Sequence, residues 1–307
     1  MVRTNQKLNI SAVILSYNEE LNIARTINSL RDSFAEIVVV DSGSSDRTVA
    51  VATECGARVV YHRYIDHASQ WRWVFGELTL GTDWILLVDA DFVFTRQAIA
   101  AIEERFSRST ESFDGFFLRH RYVFRGQQIR FGGTKTWWMR LVRRTAAIID
   151  DSELVDFRVS VRGRSECIDA LVLEENRKED VVDFWIDKHQ KFSTRLAAEE
   201  ILKQSGALSW EKGLHRITTS EGRRVWMKRV WSCFPLGVRA PLYFFFRYLV
   251  LLGFLDGIRG FQFHFLQAFW FRVVVDMKIE EIRSQLVSGA TTRDQLRAAF
   301  VARDAIG

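Results

Sequence analysis

Four short apolar runs in the first hundred residues constrain the chain most. Ile10–Leu15, Ile37–Val40, Val59–Tyr61 and Ile85–Val88 recur roughly 25 residues apart. Runs of this length without polar alternation read as strands buried on both faces of a parallel sheet. Between the first two, Glu19–Leu30 places Leu21, Ala24, Ile27 and Leu30 on one helical face. Asp46–Cys55 repeats that pattern with Asp46 as its N-cap. The order β-α-β-α-β predicts a doubly wound α/β unit. A chain of 307 residues has room for that unit and for an extension with its own packing. The expected division is an α/β domain over residues 1–200 and a helical region over 201–307.

In such sheets ligands gather at the carboxyl ends of the strands. Three polar clusters follow strand ends here: Ser16-Tyr17-Asn18-Glu19-Glu20, Asp41-Ser42-Gly43-Ser44-Ser45-Asp46 and Asp89-Ala90-Asp91. Topology alone puts them on one edge. The first turn carries neither a G-x-G-x-x-G fingerprint nor a P-loop lysine, so phosphate must be held another way. Asp89 and Asp91 supply one, because a hard cation bound to carboxylate oxygens can bridge to a diphosphate. Asp83-Trp84-Ile85-Leu86-Leu87-Val88 is an apolar strand ending in these two acids, which a buried strand tolerates only where they face a ligand.

Together, Val13-Ile14-Leu15-Ser16-Tyr17-Asn18-Glu19-Glu20, Val38-Val39-Val40-Asp41-Ser42-Gly43-Ser44-Ser45-Asp46-Arg47-Thr48 and Asp83 through Asp91 resemble family-2 glycosyltransferases. The likeness is greatest to the branch containing lipopolysaccharide-core and related envelope-polysaccharide enzymes, and it is strong over about the first hundred residues. It implies a GT-A fold, a nucleotide-sugar donor and a Mg²⁺ or Mn²⁺ cofactor. By the same resemblance Tyr17 lies against the base and Asp41 bonds the base's edge. Asp89 faces ribose and metal, Asp91 ligates the metal, and Glu19 and Gln70 line the donor pocket. The chain departs from the family around Gln70, where it reads His67-Ala68-Ser69-Gln70-Trp71-Arg72-Trp73. Trp71 and Trp73, two residues apart, cannot share a helix face, so at least one is expected to be packing.

Inversion needs a group that takes the acceptor hydroxyl's proton. The resemblance puts it after the D-x-D strand, where Asp150-Asp151-Ser152-Glu153-Leu154-Val155-Asp156 is the acid-rich run. Asp156 is the first candidate and Glu153 the second; relatives often show His-Glu or Asp-His here, whereas this chain has Val155-Asp156-Phe157. Further on, Arg177 and Lys178 precede Trp185 and His189 and are candidates for donor phosphate or an anionic acceptor.

The net charge is +5, and its excess lies late: between Lys203 and Arg247 nine Lys/Arg face two Glu. Aromatic and aliphatic runs follow over Pro235–Phe271, interrupted by Arg247, Asp256, Arg259 and Arg272 before any reaches the ~20 apolar residues of a membrane span. With Arg223-Arg224-Val225-Trp226-Met227-Lys228-Arg229 ahead of them, they read as helices lying in a membrane interface, cations toward headgroups and aromatics toward acyl chains. The alternative is a packed helical subdomain or dimer interface. Gly253, Gly257 and Gly260 signal helix breaks or close contacts. The expected partners are thus a nucleotide-sugar donor, a lipid-linked or glycan acceptor and a membrane surface. The basic segment lacks a nucleic-acid module. Cys55, Cys167 and Cys233 form no C-x-x-C pair, and the N-terminus shows no signal-peptide pattern; the expected location is the cytoplasm, peripheral on the inner face of the cell membrane. Two other functions fit parts of the pattern: a phosphatase using the D-x-D as nucleophile and acid, whose motif ordinarily opens its domain, and a degenerate GT-A domain serving as an assembly partner.

Overall fold

The computed structural model describes residues 7–150, 158–208, 226, 230–296 and 298. The described residues within 1–130, 134–149 and 159–181 form one compact unit, and those within 131–133, 150–158 and 182–307 a second.

The first unit is built on one mixed sheet. Strands β1 (Leu8–Ser16), β2 (Phe34–Asp41), β3 (Arg58–Tyr61) and β4 (Trp84–Asp89) run parallel in the order β3-β2-β1-β4. All four expected strands are present. Ile10, Ala12, Val13 and Ile14 are fully buried, so β1 is covered on both faces and its apolar run has no alternation. Beyond β4 the sheet turns antiparallel through β8 (Thr136–Arg143) and β6 (Gly115–Phe124), then continues to β11 (Ser165–Glu174) and the short β5 (Phe92–Phe94). The small β7 (Gln127–Gln128) pairs with β6, and β9 (Ala147–Asp150) pairs with β10 (Arg158–Val161) as a separate ribbon. This is the α/β, GT-A type of sheet.

Helix α1 (Ile23–Leu30) starts later than its periodicity suggested and buries Ile23, Thr26, Ile27 and Leu30. Leu21, expected on that face, lies ahead of the helix and is exposed. The backbone before it is committed elsewhere: the Glu19 amide donates to Thr48 Oγ1 at 2.6 Å. Helix α2 (Thr48–Glu54) also begins two residues late, with Arg47 and not Asp46 at its N-cap and no side-chain cap bond; Asp46 lies one residue ahead, its Oδ1 accepting from the Thr48 amide at 2.9 Å. Helix α3 (His67–Gly76) is capped by Asp66, which accepts from the Ser69 amide at 2.6 Å, and α4 (Arg96–Phe106) by Thr95.

The second unit opens with α5 (Val182–Gln204), whose Ala197, Ala198, Ile201 and Leu202 pack on Phe271, Val275, Ile279 and Ile282 of α8 (Phe271–Val287). The division therefore falls at Val181–Val182 and not at residue 200, because α5's apolar stripe is buried by the C-terminal helices. Between them lie α6 (Arg239–Phe245), α7 (Gly257–His264) and short π- and 3₁₀-turns. The glycines resolve into two uses. Gly257 turns at φ +64°, whereas a Cβ at Gly253 would sit 2.6 Å from His264 and one at Gly260 2.5 Å from Asp256, so those two permit close contact. Arg239, buried, is held by Glu200 at 2.7 Å and Asp276 at 2.6 Å.

Candidate functional site

The register of the parallel strands assembles the site. Ser16 pairs with Asp41 across β1 and β2, and Leu15 with Asp89 across β1 and β4. The three polar clusters therefore emerge side by side from the carboxyl edge, as the strand order requires.

Asp41 organises its own loop. One carboxylate oxygen accepts from the Gly43 and Ser44 amides at 2.9 and 2.8 Å, the other from the Ser16 hydroxyl at 3.2 Å and the Ser44 hydroxyl. These four bonds fill the acceptor sites of an ionised carboxylate. Asn18 ties the first loop to the second. It takes φ +53°, a conformation asparagine tolerates better than most residues; its amide donates to Ser44 Oγ at 2.8 Å, and its Oδ1 accepts from the Ser45 amide at 2.8 Å. Tyr17, between these anchors, is exposed, with its ring open to stacking.

Glu19 and Gln70 serve the walls. Glu19 is paired with Lys178 Nζ at 2.6 Å and accepts from Asn22 Nδ2 at 2.7 Å. Lys178 also donates to the Asn18 carbonyl at 3.1 Å, so it locks the first loop. Its neighbour Arg177 is half exposed and lies 3.4 Å from Glu175. Gln70, buried, donates to Ser42 Oγ at 2.8 Å and to the His62 carbonyl at 3.1 Å and contacts the His62 ring, joining the ends of β2 and β3. Trp71 is core, and Trp73 stacks on His62 with centroids 4.3 Å apart.

The Asp89-Ala90-Asp91 tip is held by its backbone. Thr26 Oγ1 donates to the Ala90 carbonyl at 2.6 Å and the Glu175 amide to the Asp91 carbonyl at 2.9 Å. Both carboxylates are thereby kept at the edge, partly exposed. Asp89 meets Arg140 of β8 at 3.1 Å, with His67 Nε2 at 4.0 Å. Burial works against its charge, but Arg140, His67 and His120 outweigh that and hold its carboxyl below the usual range. Arg140 is nearly buried between Phe92 and Trp138, its guanidinium 4.7 and 5.4 Å from their rings. His120 of β6 lies 3.5 Å from Glu174 and packs on Phe92. Burial, reinforced by Arg140 and opposed by Asp89, pushes it down to about 3.

Among the described residues no three His, Cys, Asp or Glu side chains could together hold a metal ion. Asp89 and Asp91 offer hard oxygen ligands at a strand end, the donor set with which Mg²⁺ is held when substrate phosphates and water complete its shell. The residues fit that cation. Asp156 and Glu153 lie outside the described residues, as do Arg223, Arg224, Lys228 and Arg229.

Arg140, His120 and Thr26 are not singled out by the sequence; Lys178 is, as a phosphate or acceptor candidate, and its Nζ bonds Glu19 and the Asn18 carbonyl. Arg140 left one signal, a lone cation inside the apolar strand Met139-Arg140-Leu141-Val142. The others become visible only through pairings far apart in the chain.

The topology is that of a GT-A-type domain. Residues 11–157 match the family model "Glycosyl transferase family 2", and this part of the chain is a family-2 glycosyltransferase domain. A glycosyltransferase of Rickettsia felis is 40% identical over 98 residues, 32% of this chain and 34% of its own length. One of Rickettsia typhi is 33% identical over 120 residues, 39% of this chain and 40% of its own. The chain thus spans little more than a third of the length of these relatives. Glucosyl-3-phosphoglycerate synthase of Mycobacterium tuberculosis, solved with Mn²⁺, UDP and glucosyl-3-phosphoglycerate, aligns over 44% of this chain and 57% of its own at 20% identity and a TM-score of 0.31; the fold assignment rests on the topology, not on that likeness.

Proposed function

We propose that the chain is an inverting glycosyltransferase that moves a sugar from a nucleotide-sugar donor to a lipid-linked or envelope-glycan acceptor, working on the cytoplasmic, inner face of the cell membrane. The observation that carries the reading is the convergence of Tyr17, the Asp41 loop and the Asp89–Asp91 tip on one sheet edge within a family-2 domain. The Asp41–Asn18–Ser44 lattice presets the cleft beside Tyr17, where the nucleoside base would stack. Mg²⁺ or Mn²⁺ held by Asp89 and Asp91 would neutralise the departing diphosphate.

In the transfer, the acceptor oxygen bonds to the anomeric carbon as the bond to the diphosphate breaks on the opposite face. The hydroxyl proton passes to a carboxylate, assigned to Asp156 or, second, Glu153. His120 is a poor candidate for that role, since its low pKa makes it a weak base and it is buried.

The test is release of nucleoside diphosphate from a panel of nucleotide sugars, with Mg²⁺ or Mn²⁺ and membrane lipid extract as acceptor. Asp91→Ala should abolish release with the fold intact, and Asp156→Asn should lower it roughly 10²-fold while sparing donor binding. Inorganic phosphate released from phosphoesters would indicate a phosphatase instead. Donor binding without turnover would indicate a non-catalytic assembly partner.

A further inference from the structure

In the second unit the usual distribution of polar and apolar groups is inverted. From Leu242 to Phe265 every exposed residue is apolar or glycine, Val250 at 66% and Ile258 at 70% among them. Over the same stretch Arg247, Asp256 and His264 are buried, at 8%, 6% and 0%. Their polar groups are turned inward on the segment Phe131–Gly133: Arg247 Nε donates to the Gly132 carbonyl at 2.7 Å, and Asp256 Oδ2 accepts from the Phe131 amide at 2.9 Å. The Gly132 amide donates to the Leu251 carbonyl at 2.8 Å. The expectation of cations reaching for headgroups from within this stretch is thus corrected for Arg247, whose charge faces the interior.

No single helix among the described residues is long and apolar enough to cross a membrane, but Arg239–Val250 and Gly253–Val287, bent by 72° at the break, are so as a pair. The bend is built from Leu252 at φ +59°, an unfavourable conformation for leucine that leaves its side chain exposed. A Cβ at Gly253 would sit 2.8 Å from the Arg247 carbonyl of the first arm, so that glycine permits the close approach at the break, while Gly260 permits the packing of Asp256 and Gly253 within the second arm.

We propose that this bent pair is a wedge that enters the acyl layer of one leaflet and leaves by the same face, deepening the membrane partner in the function proposed above and resting on that reading for its biological sense. Charges inside and Phe, Leu, Ile and Val outside is the arrangement that hydrocarbon demands and water penalises. A second protein copy fits less well, since protein interfaces carry about one hydrogen bond per 100–200 Å² and a polar rim, whereas the exposed positions here carry no side-chain donor or acceptor and the half-buried Arg259 and Gln262 are bonded to each other at 3.0 Å. Length sets the depth. The arm Arg239–Val250 spans about 18 Å at about 1.5 Å per residue, against a hydrocarbon core of about 30 Å. It reaches through roughly one leaflet and stops.

The test is flotation of the full chain with vesicles of pure phosphatidylcholine. The wedge predicts binding to this neutral lipid that persists in about 1 M NaCl, where the Debye length is about 3 Å. Leu249→Asp with Ile258→Asp should weaken partition at least tenfold. Val287→Asp, at the polar far end of the second arm among exposed Glu280, Glu281 and Arg283 and beyond the apolar stretch Leu242–Phe265, should not. Because Leu249 and Ile258 are exposed, thermal melts of the double variant should match the parent; should they not, Leu249→Ser with Ile258→Ser provides the same comparison. Protease added outside the vesicles should cut on both flanks of the bent pair. Binding only to anionic vesicles with release by salt, protection of one flank, or a lipid-indifferent dimer dispersed by the same double substitution would each overturn the proposal. Asp91→Ala should float like the parent, so failure of sugar transfer and failure of insertion are read separately.

Discussion

His120 should make the protein acid-sensitive by an amount the structure sets. Its pKa in the native state is about 3, against an ordinary 6.5, so the native state binds fewer protons than the unfolded chain below neutrality. The stability this contributes is fully present above about pH 6.5 and is lost as the pH falls from there toward 3. At about pH 5 the unfolded imidazole is mostly protonated and the native one is not, a difference of roughly 1.5 pH units below the unfolded pKa. At 1.36 kcal/mol per unit that is about 2 kcal/mol. The figure depends on the unfolded pKa, because any native value near 3 leaves His120 neutral at pH 5. The perturbation is His120→Gln, which removes the titrating group from between β6, Glu174 and Phe92. Urea unfolding at about pH 7.5 and pH 5, followed by the summed fluorescence of the ten tryptophans, reads the stability at each pH. The parent should lose about 2 kcal/mol more than the variant between the two conditions. Equal losses would mean that His120 is hydrated or protonated in the folded protein, and the argument from burial would fail.

Three further outcomes follow from the contacts described. Lys178→Met frees the Asn18 carbonyl and leaves Glu19 unpaired at a partly buried position, so the donor KM should rise about tenfold, the equivalent of one charged hydrogen bond, with kcat changed far less; steady-state kinetics separates the two. Arg239→Met strands Glu200 and Asp276 and should cost about 3–5 kcal/mol, read as a lowered melting temperature of the second unit. Gly253→Ala brings a Cβ to 2.6 Å from His264 and 2.8 Å from the Arg247 carbonyl, and overpacking of that kind should cost about 1–3 kcal/mol, seen as a lower urea midpoint.

Local pattern was sufficient for the first half of the first unit. The runs that became β1, β2 and β4 are largely buried on both faces, so their apolar character is continuous, whereas β3 at the sheet edge leaves Tyr61 exposed; the polar residues that follow the strands must fall on one edge once the strands are parallel. That logic located Tyr17, Asp41, Asp89 and Asp91 without coordinates. Helix starts were less legible. Leu21 obeys the helical period yet lies outside α1, in the turn that the Asn22 and Ile23 amides close on the Glu19 carbonyl and that Thr48 anchors through the Glu19 amide, a partner that periodicity does not contain.

Everything that depends on pairing between distant residues belonged to the tertiary structure. Gln70 and Glu19 read as donor contacts along the chain, yet in space their polar atoms bond Ser42, His62, Asn22 and Lys178, since a buried amide or carboxylate must find partners wherever the fold brings them. Arg140 enters the site only because β8 lies antiparallel beside β4, a neighbour that no local signal names. The C-terminal third shows the same limit most clearly. Composition alone marked it as rich in aromatics and interrupted by charge, but amino-acid order cannot say which side of a helix faces out when the helix is bent and glycine-packed. Packing turned Arg247, Asp256 and His264 inward and Val250, Ile258 and their apolar neighbours outward, because the inner side supplies main-chain partners on Phe131–Gly133 for Arg247 and Asp256, and the outer side supplies none.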